Sequence, residues 1–485
     1  MSDPAPERRP GVSAAAQPER WSGVHRTDRS RPSTAAQPDL EAVARRAVEA
    51  ALGAGADEAE AFAEEDRSRQ IRVYEGGVES LSDAGGRGVG VRAFLDGRAG
   101  HAFGTDLGDE GLRALAAAAA DAARVADPDE HGGLPDETGA TETEGLYSPE
   151  LAAWSTERKV ELALEVERAA RAREGVSQVE DTVYADGEGT VALVNSRGFS
   201  CAYRASSAHA YASAFAGEGA DLMTGLGVGM ARDPAGLDAA AIGGEAAERA
   251  LALTGARQPA GRRCPVVLDA FVAASFAGFI GAMLSADAVQ RGRSLFAGLE
   301  GDEVADPAFV LSDDGAHPEG LASAPFDGEG SPTGRTALIE GGRLRSYLFD
   351  ARTARRAGRG TTANAQRGSY RAQPSVGTSN LLLEPGGQSL AELVAQAGEG
   401  LLVTSVAGLH SGVNPVSGTF SVGAEGMLIE AGELGRPVRE ITIASDLVSM
   451  LRSVRAMGSE ARWVPFGGSV KAPPLLVAEM SVSGS

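Results

Sequence analysis

The stretch Gly88-Val-Gly-Val-Arg-Ala-Phe-Leu-Asp-Gly-Arg-Ala-Gly-His-Ala-Phe103 places two strand-like segments on either side of the pair Asp96-Gly97. Asp-Gly is a preferred two-residue turn between antiparallel strands, because the turn requires residues that tolerate a positive φ. Two further hairpin signals, Gly76-Gly77 and Gly85-Gly86, lie just upstream. We therefore predict an antiparallel meander in this region.

Helices are predicted on both sides of this meander. Asp39 is suited to cap a helix that precedes it, and an alanine-rich helix follows at about 109–125. The order helix, strands, helix then occurs a second time after an acidic segment rich in Gly, Pro and Thr, which is typical of a linker. These patterns predict a first α+β domain, an acidic linker and a central α+β domain, at 39–126, 127–149 and 150–256.

The last part of the chain, 264–485, has a different pattern. An apolar helix is predicted at 270–288, and the remainder is glycine-rich with many short strands. Glycine contributes 64 residues to the whole chain without a collagen period, which indicates many turns. The predicted fold class is α+β, with two helix/antiparallel-sheet units followed by a β-rich, barrel-like C-terminal domain.

Composition excludes several classes of function. The net charge of −22 argues against a protein that binds nucleic acid by neutralising phosphates, and against docking on anionic membranes. The two cysteines, Cys201 and Cys264, are too few for a disulfide framework. Residues 1–38 lack the apolar core of a signal peptide and are predicted to form a disordered tail. We expect a cytoplasmic protein with no nucleic-acid or membrane partner.

The chain carries no self-sufficient catalytic motif. It lacks a G-x-S-x-G elbow, a Walker A loop and an HExxH helix, and its six histidines are scattered. The pair Asp313-Asp314 lies beside Gly315 and is interpreted as a solvated turn rather than an acid/base dyad.

Three blocks in the C-terminal half resemble the TldD/PmbA family of metallopeptidase-related proteins, and its PmbA (TldE) branch in particular. The resemblance extends more weakly to the helix at Asp39. The blocks occur in the family's order and are Val267-Leu-Asp-Ala-Phe-Val-Ala-Ala-Ser-Phe-Ala-Gly-Phe279, Thr362-Ala-Asn-Ala-Gln-Arg-Gly368 with Thr378-Ser-Asn-Leu-Leu-Leu-Glu-Pro-Gly386, and Gly408-Leu-His-Ser-Gly-Val-Asn-Pro-Val-Ser-Gly-Thr-Phe-Ser-Val-Gly-Ala-Glu-Gly426.

The resemblance implies a degenerate metal site. In the TldD branch, zinc is held by the two histidines of an HExxxH helix and by a later cysteine, and the glutamate is the general base. The corresponding positions here are Ala274, Ser275 and Phe279, and no cysteine follows Cys264. This departure from the motif implies that the chain itself binds no cofactor, and that zinc belongs to a partner subunit.

The family further implies a non-catalytic subunit that pairs with a TldD-like zinc metallopeptidase and acts on unfolded or leader peptides. We place the candidate peptide contacts in the matching blocks, at Asn364, Asn380, Asn414 and Ser417. Glycine and asparagine in ordinary tight turns explain the same residues equally well. Two alternatives stay open: an independent enzyme with an unrecognised site, such as a metal on His209 or His410, and a homodimeric peptide-binding scaffold.

Overall fold

The computed structural model describes residues 39–465 and 468–484, so the predicted tail at 1–38 lies outside the described residues. The helices are α1 (Leu40–Gly53), α2 (Asp109–Val125), α3 (Glu150–Ala153), α4 (Thr156–Arg171), α5 (Ala239–Ala252), α6 (Ala270–Met283), α7 (Ala286–Gln290), α8 (Ala351–Arg356), α9 (Leu390–Ala397), α10 (Leu409–Gly412) and α11 (Leu447–Arg452).

The strands of the first sheet are β1 (Glu58–Tyr74), β2 (Gly77–Leu95), β3 (Arg98–Gly104), β4 (Val176–Asn195), β5 (Ser200–Ala216) and β6 (Met223–Ala231). The later strands are β7 (Arg262–Leu268), β8 (Leu311–Asp314), β9 (Arg335–Glu340), β10 (Arg343–Leu344), β11 (Ala365–Gln366), β12 (Ser375–Val376), β13 (Asn380–Leu383), β14 (Gly400–Ala407), β15 (Thr419–Glu430), β16 (Glu433–Asp446), β17 (Val454–Met457), β18 (Arg462–Val464), β19 (Ser469–Ala472) and β20 (Leu475–Ser483).

The first six strands form one antiparallel sheet in the order β3-β2-β1-β4-β5-β6. The two halves are joined because β1 pairs with β4, from Glu60 opposite Asn195 to Val73 opposite Thr182. Helices α1 and α2 cover one end of one face, and α4 and α5 cover the other end. The opposite face of the sheet is turned toward the C-terminal half, whose Phe326 packs with Phe62 of β1.

Two of the three predicted hairpin turns are confirmed. Gly76 joins β1 to β2, and the pair Asp96-Gly97, both with positive φ, joins β2 to β3. The prediction of a turn at Gly85-Gly86 is wrong, since β2 runs straight through and Gly86 pairs with Asp66 of β1. A Cβ on Gly86 would lie 2.9 Å from an oxygen of Asp66, which is the end of an exposed side chain and can move aside, so neither a turn nor a close approach requires glycine there.

The C-terminal half contains a closed five-stranded barrel, which confirms the predicted α+β class with a barrel-like domain. Strands β16, β15, β14, β7 and β20 pair in that order, and β20 also pairs with β16. A second sheet has the order β10-β9-β8-β13-β19-β18. The apolar helix predicted at 270–288 is interrupted at Leu284-Ser285, so that α6 and the short α7 replace it.

Helix α6 lies at the centre of this half. It packs against β7 and β14 of the barrel and against β13 and β19 of the second sheet. Eleven of its fourteen residues are buried, which explains why its sequence is apolar on nearly every side. No helix among residues 39–465 and 468–484 is both long and apolar enough to cross a membrane.

Candidate functional site

The N-terminus of α6 is fixed by charged residues from two other elements. Asp269 caps the helix by accepting a hydrogen bond from the Val272 N–H at 2.8 Å, and Arg249 of α5 donates to its other oxygen at 2.8 Å. Burial raises the pKa of Asp269, and the charge of Arg249 opposes that effect. The ring of Phe271 lies between two guanidinium groups, that of Arg249 at 4.4 Å and that of Arg462 at 4.3 Å from its centroid. The start of the helix is therefore joined to α5 of the central domain by an ion pair and a ring contact of Arg249.

Ala274, Ser275 and Phe279, the positions predicted to correspond to the zinc motif, all lie on α6. Ala274 is completely buried, whereas Ser275 and Phe279 are half-buried. Ser275, Phe279 and the exposed Ala282 follow one another at helical spacing, so they form the one side of α6 that is open. The Ser275 hydroxyl donates back to the Phe271 carbonyl at 2.9 Å.

These side chains do not fit a zinc ion. Zinc sites are built from imidazole, thiolate and carboxylate groups, and here the positions present a methyl, a helix-bonded hydroxyl and a phenyl ring. Phe279 packs against the apolar core of the C-terminal half. In the part of the chain that the structure describes, no three His, Cys, Asp or Glu side chains are arranged to hold a metal.

A surface loop at 408–418 lies beside α6. The start of β15, which follows the loop, packs against the helix, since the rings of Phe420 and Phe276 are 5.2 Å apart. Within the loop, the Pro415 carbonyl accepts a hydrogen bond from the Leu295 N–H at 2.7 Å. Asn414 and Ser417 are both exposed. The Asn414 side-chain oxygen accepts from the N–H groups of Val416 and Ser417 at 2.9 and 3.1 Å, so it shapes the turn.

The other two candidate peptide contacts lie in the interior. Asn364 is 1% exposed, and its amide donates to Asp313 at 2.7 Å and to the Gly377 carbonyl at 3.2 Å. Asn380 is fully buried and donates to the Asp314 carbonyl and to the Ser323 hydroxyl. The structure thus brings Asn414 and Ser417 together at the surface and separates Asn364 and Asn380 from it.

Asp313 is not in a solvated turn, so that prediction is wrong. It belongs to β8, is 1% exposed, and accepts hydrogen bonds from Asn364 and from the N–H and hydroxyl of Ser379. Burial raises its pKa to about 6, although these donors oppose the shift. The sequence shows only two acidic residues before a glycine, a pattern that is typical of a turn. Asp313 is buried because β8 lies between β9 and β13, and this pairing is not visible in the sequence.

A buried group of charges, which sequence reasoning missed, joins the first sheet to the C-terminal half. Arg92 of β2 bridges Glu60 of β1 and Glu329, and Arg367 also bonds to Glu60. Asp327 lies nearby with its pKa raised, by burial first and by the charge of Glu329 second. A sign of this group was present in the sequence, because Glu60 and Arg92 interrupt otherwise small or apolar segments of the meander strands.

The two histidines considered for an alternative metal site lie on different elements, His209 on β5 and His410 on α10. Both are exposed. Neither belongs to a group of potential ligands within the described residues.

Comparison with known proteins identifies relatives along most of the chain. Family models of the PmbA/TldA metallopeptidases match as domain 1 at residues 59–123, as the central domain at 149–254 and as the C-terminal domain at 261–484. The metalloprotease PmbA of Escherichia coli O157:H7 is 27% identical over 456 residues, which cover 92% of this chain and 96% of the relative. A PmbA homolog of Haemophilus influenzae is 28% identical over 446 residues, 90% of this chain and 95% of the relative.

Solved structures have the same fold. A candidate modulator of a DNA gyrase from Thermotoga maritima superimposes with a TM-score of 0.83 at 28% identity, covering 90% of this chain and 99% of the other. TldE from Thermococcus kodakarensis also gives a TM-score of 0.83, at 22% identity, and covers 91% of this chain and 99% of its own. At that identity the second match is evidence for the fold alone.

Proposed function

The chain belongs to the PmbA/TldD metallopeptidase family, and on this premise we propose that it is a cytoplasmic, non-catalytic TldE-like subunit of a heterodimeric TldD/TldE-type zinc metallopeptidase. Its substrates in this proposal are unfolded or leader peptides. The observation that carries the proposal is the open side of α6, which presents a hydroxyl at Ser275 and a phenyl ring at Phe279, two of the positions predicted to correspond to the zinc motif.

The packing of α6 supports the absence of zinc from this subunit. Ala274 has no exposed surface and lies in the tightly packed core, so an imidazole at that position would have to displace its neighbours. Activation of water for peptide hydrolysis needs a metal with an open coordination position. In this proposal the related partner chain supplies that metal, and the present chain supplies shape and hydrogen bonds that align the peptide.

The loop at 408–418 is the proposed peptide contact. The amide nitrogen of Asn414 donates no hydrogen bond within residues 39–465 and 468–484, and the side chain is exposed, so it is free to bind a peptide carbonyl. Val416, which is 57% exposed, adds an apolar surface next to it. Asn364 and Asn380 are assigned a structural role instead, since their amide groups are occupied by protein partners.

The test measures cleavage of an unfolded peptide by this chain, by an HExxxH-bearing relative, and by the two together. We expect cleavage by the mixture that a chelator abolishes, and none by this chain alone. Elemental analysis of the purified chain should find no stoichiometric zinc. Chelator-sensitive cleavage by the single chain, or about one tightly bound zinc per chain, would overturn the proposal.

A pair of variants tests the peptide contact separately. Asn414→Ala should raise the KM of the mixture for the peptide without changing the zinc content. Gln70→Ala removes another exposed amide, on β1 of the first sheet, and should leave the KM unchanged. If the two variants had the same KM, the loop at 408–418 would not be the peptide contact. The proposal that this chain is a non-catalytic subunit would not be affected.

A further inference from the structure

A loop of the C-terminal half, at 327–331, places two acidic side chains against the first sheet. Glu329 accepts a hydrogen bond from Arg92 of β2 at 3.1 Å, and its other oxygen accepts from the first N–H of α8 at 3.0 Å. Asp327 is 6% exposed and Glu329 is 3% exposed. Both carboxyl groups therefore lie inside the interface between the sheet and the C-terminal half.

The other charges at this interface balance one another. Arg92 donates two hydrogen bonds to Glu60 of β1, at 2.7 and 2.8 Å, and Arg367 bonds to the same carboxylate. With Glu329, these residues supply two guanidinium groups and two carboxylates, and all four side chains are less than a tenth exposed. Buried charges are tolerated when each has a partner of opposite sign. This interface charge group of four residues meets that condition without Asp327.

Asp327 has only uncharged partners. Its oxygens accept hydrogen bonds from the backbone N–H groups of Glu329, Ser331 and Ala365, at 2.9, 3.0 and 3.1 Å. Among residues 39–465 and 468–484, no arginine, lysine or histidine forms an ion pair with it. Ionisation of Asp327 therefore adds one uncompensated negative charge beside Glu329.

We propose that Asp327 acts as a proton-controlled latch that sets how firmly the loop at 327–331 docks on the first sheet. A neutral Asp327 leaves the interface charge group balanced, and the loop stays docked. An ionised Asp327 is more stable where water reaches it, so ionisation favours local opening of the loop. The latch thus closes in mildly acidic solution and loosens in mildly alkaline solution.

The direction of the effect follows from the linkage between proton binding and docking. Burial first, and the charge of Glu329 second, raise the pKa of Asp327 above its ordinary value of 3.8. The stabilisation of the docked loop is therefore fully present below pH 3.8, and it is lost as the pH rises through the raised value toward neutrality. Once the loop opens, hydration returns the pKa toward its ordinary value, so the open form releases the proton more readily.

The neighbouring ionisable groups do not supply the missing positive charge. His101 of β3, the cross-strand neighbour of Arg92, has its pKa lowered from 6.5 by burial and by the charge of Arg92. Burial raises the pKa of Tyr203 to about 12, and it also raises the pKa of Glu64, which accepts a hydrogen bond from the Tyr370 N–H. The other charged groups on the elements around the loop are Glu60 of β1, Arg92 of β2, Glu137 of the linker, Asp350 at the start of α8 and Arg367 after β11. The two cations of this set are already paired with Glu60 and Glu329.

Hydrogen exchange of the full chain between about pH 5.5 and about pH 8.5 tests the latch. Protection is the intrinsic exchange rate divided by the measured rate at each pH. In the native chain, the protection of amides in 327–331 should fall about tenfold or more over this range, because each unit by which the pKa of the docked form exceeds that of the open form corresponds to a factor of about ten. Amides of β7 should keep their protection, since the change is local.

Two variants and a matched control assign the effect to Asp327. Asp327→Asn keeps the shape of the neutral acid but cannot ionise, so its protection should not change with pH. Glu329→Gln removes the charge that raises the pKa of Asp327, so the fall should move to lower pH. Glu137→Gln is the control, because it removes an exposed carboxylate of the linker, whose backbone carbonyl accepts a hydrogen bond from the Ser331 hydroxyl. It should keep the native dependence on pH.

Melting curves show whether each variant folds, and the native chain and Glu329→Gln still decide the question if Asp327→Asn does not fold. Native protection that stays constant with pH, or an equal fall in Asp327→Asn and the native chain, would overturn the latch. A fall of equal size in β7 would also overturn it, since Asp327 would then act on global unfolding rather than on docking. No residue of the latch lies on α6 or in the loop at 408–418, so this proposal and the proposed function fail independently.

Discussion

The substitution Asn364→Ala separates a structural role of the buried asparagine from a role in peptide contact. The side chain donates to the Asp313 carboxylate at 2.7 Å and to the Gly377 carbonyl at 3.2 Å, and accepts from the Thr362 hydroxyl at 2.7 Å. A hydrogen bond to a charged group contributes about 1.5–3 kcal/mol and a neutral one about 1 kcal/mol. We therefore expect the free energy of unfolding to fall by about 4 kcal/mol at pH 8.

This loss should depend on pH in a defined direction. The pKa of Asp313 is raised from 3.8 to about 6 by burial, so its stabilising contribution is present below pH 3.8 and is lost as the pH rises through about 6. Asn364 lowers that pKa by bonding to the charged form, and its removal raises the pKa further. The variant should consequently lose less stability at pH 5, where Asp313 is largely protonated in both proteins, than at pH 8.

Urea unfolding followed by circular dichroism at the two pH values measures both effects. Asn414→Ala is the matched control, because that exposed side chain bonds only within its own turn, and it should cost less than about 1 kcal/mol at either pH. A loss below about 1 kcal/mol for Asn364→Ala, or an equal loss at both pH values, would refute the buried network. If Asn364→Ala kept its stability but bound the peptide more weakly, Asn364 would be a peptide contact rather than a structural residue.

Three further outcomes are expected. Gly90→Ala should lower the free energy of unfolding by about 3 kcal/mol in urea titrations, because the new methyl would lie 2.1 Å from the carbonyl oxygen of Tyr370. Arg249→Met should cost about 3 kcal/mol by the same assay, since it leaves the buried Asp269 carboxylate without its ionic partner, and adding Asp269→Asn should recover part of the loss. Burial raises the pKa of Asp327 above its ordinary value of 3.8. Its contribution to the free energy of unfolding is therefore fully present below pH 3.8 and is lost as the pH rises toward neutrality. Asp327→Asn should reduce the dependence of the unfolding free energy on pH over this range. An unchanged dependence would contradict a raised pKa of Asp327.

Features that depend on neighbouring residues were predictable from the sequence. Asp39 caps α1, and the pair Asp96-Gly97 forms the turn between β2 and β3, as expected. The family blocks led to the correct family, whereas the assignment of Ala274, Ser275 and Phe279 to the zinc positions stays a prediction. These predictions succeed because caps and tight turns are decided by hydrogen bonds and φ angles within a few residues.

Features that depend on distant residues were decided only by the tertiary structure. Gly85-Gly86 has the composition of a turn, but pairing with β1 makes it the middle of a strand. Asp313 has the composition of a surface turn, but β9 and β13 enclose it on both sides. The closing of the barrel by β16 and β20 likewise joins strands whose partners no local pattern specifies. The side on which a residue is buried depends on which strand lies beside it, and that choice is made by the packing of the whole chain.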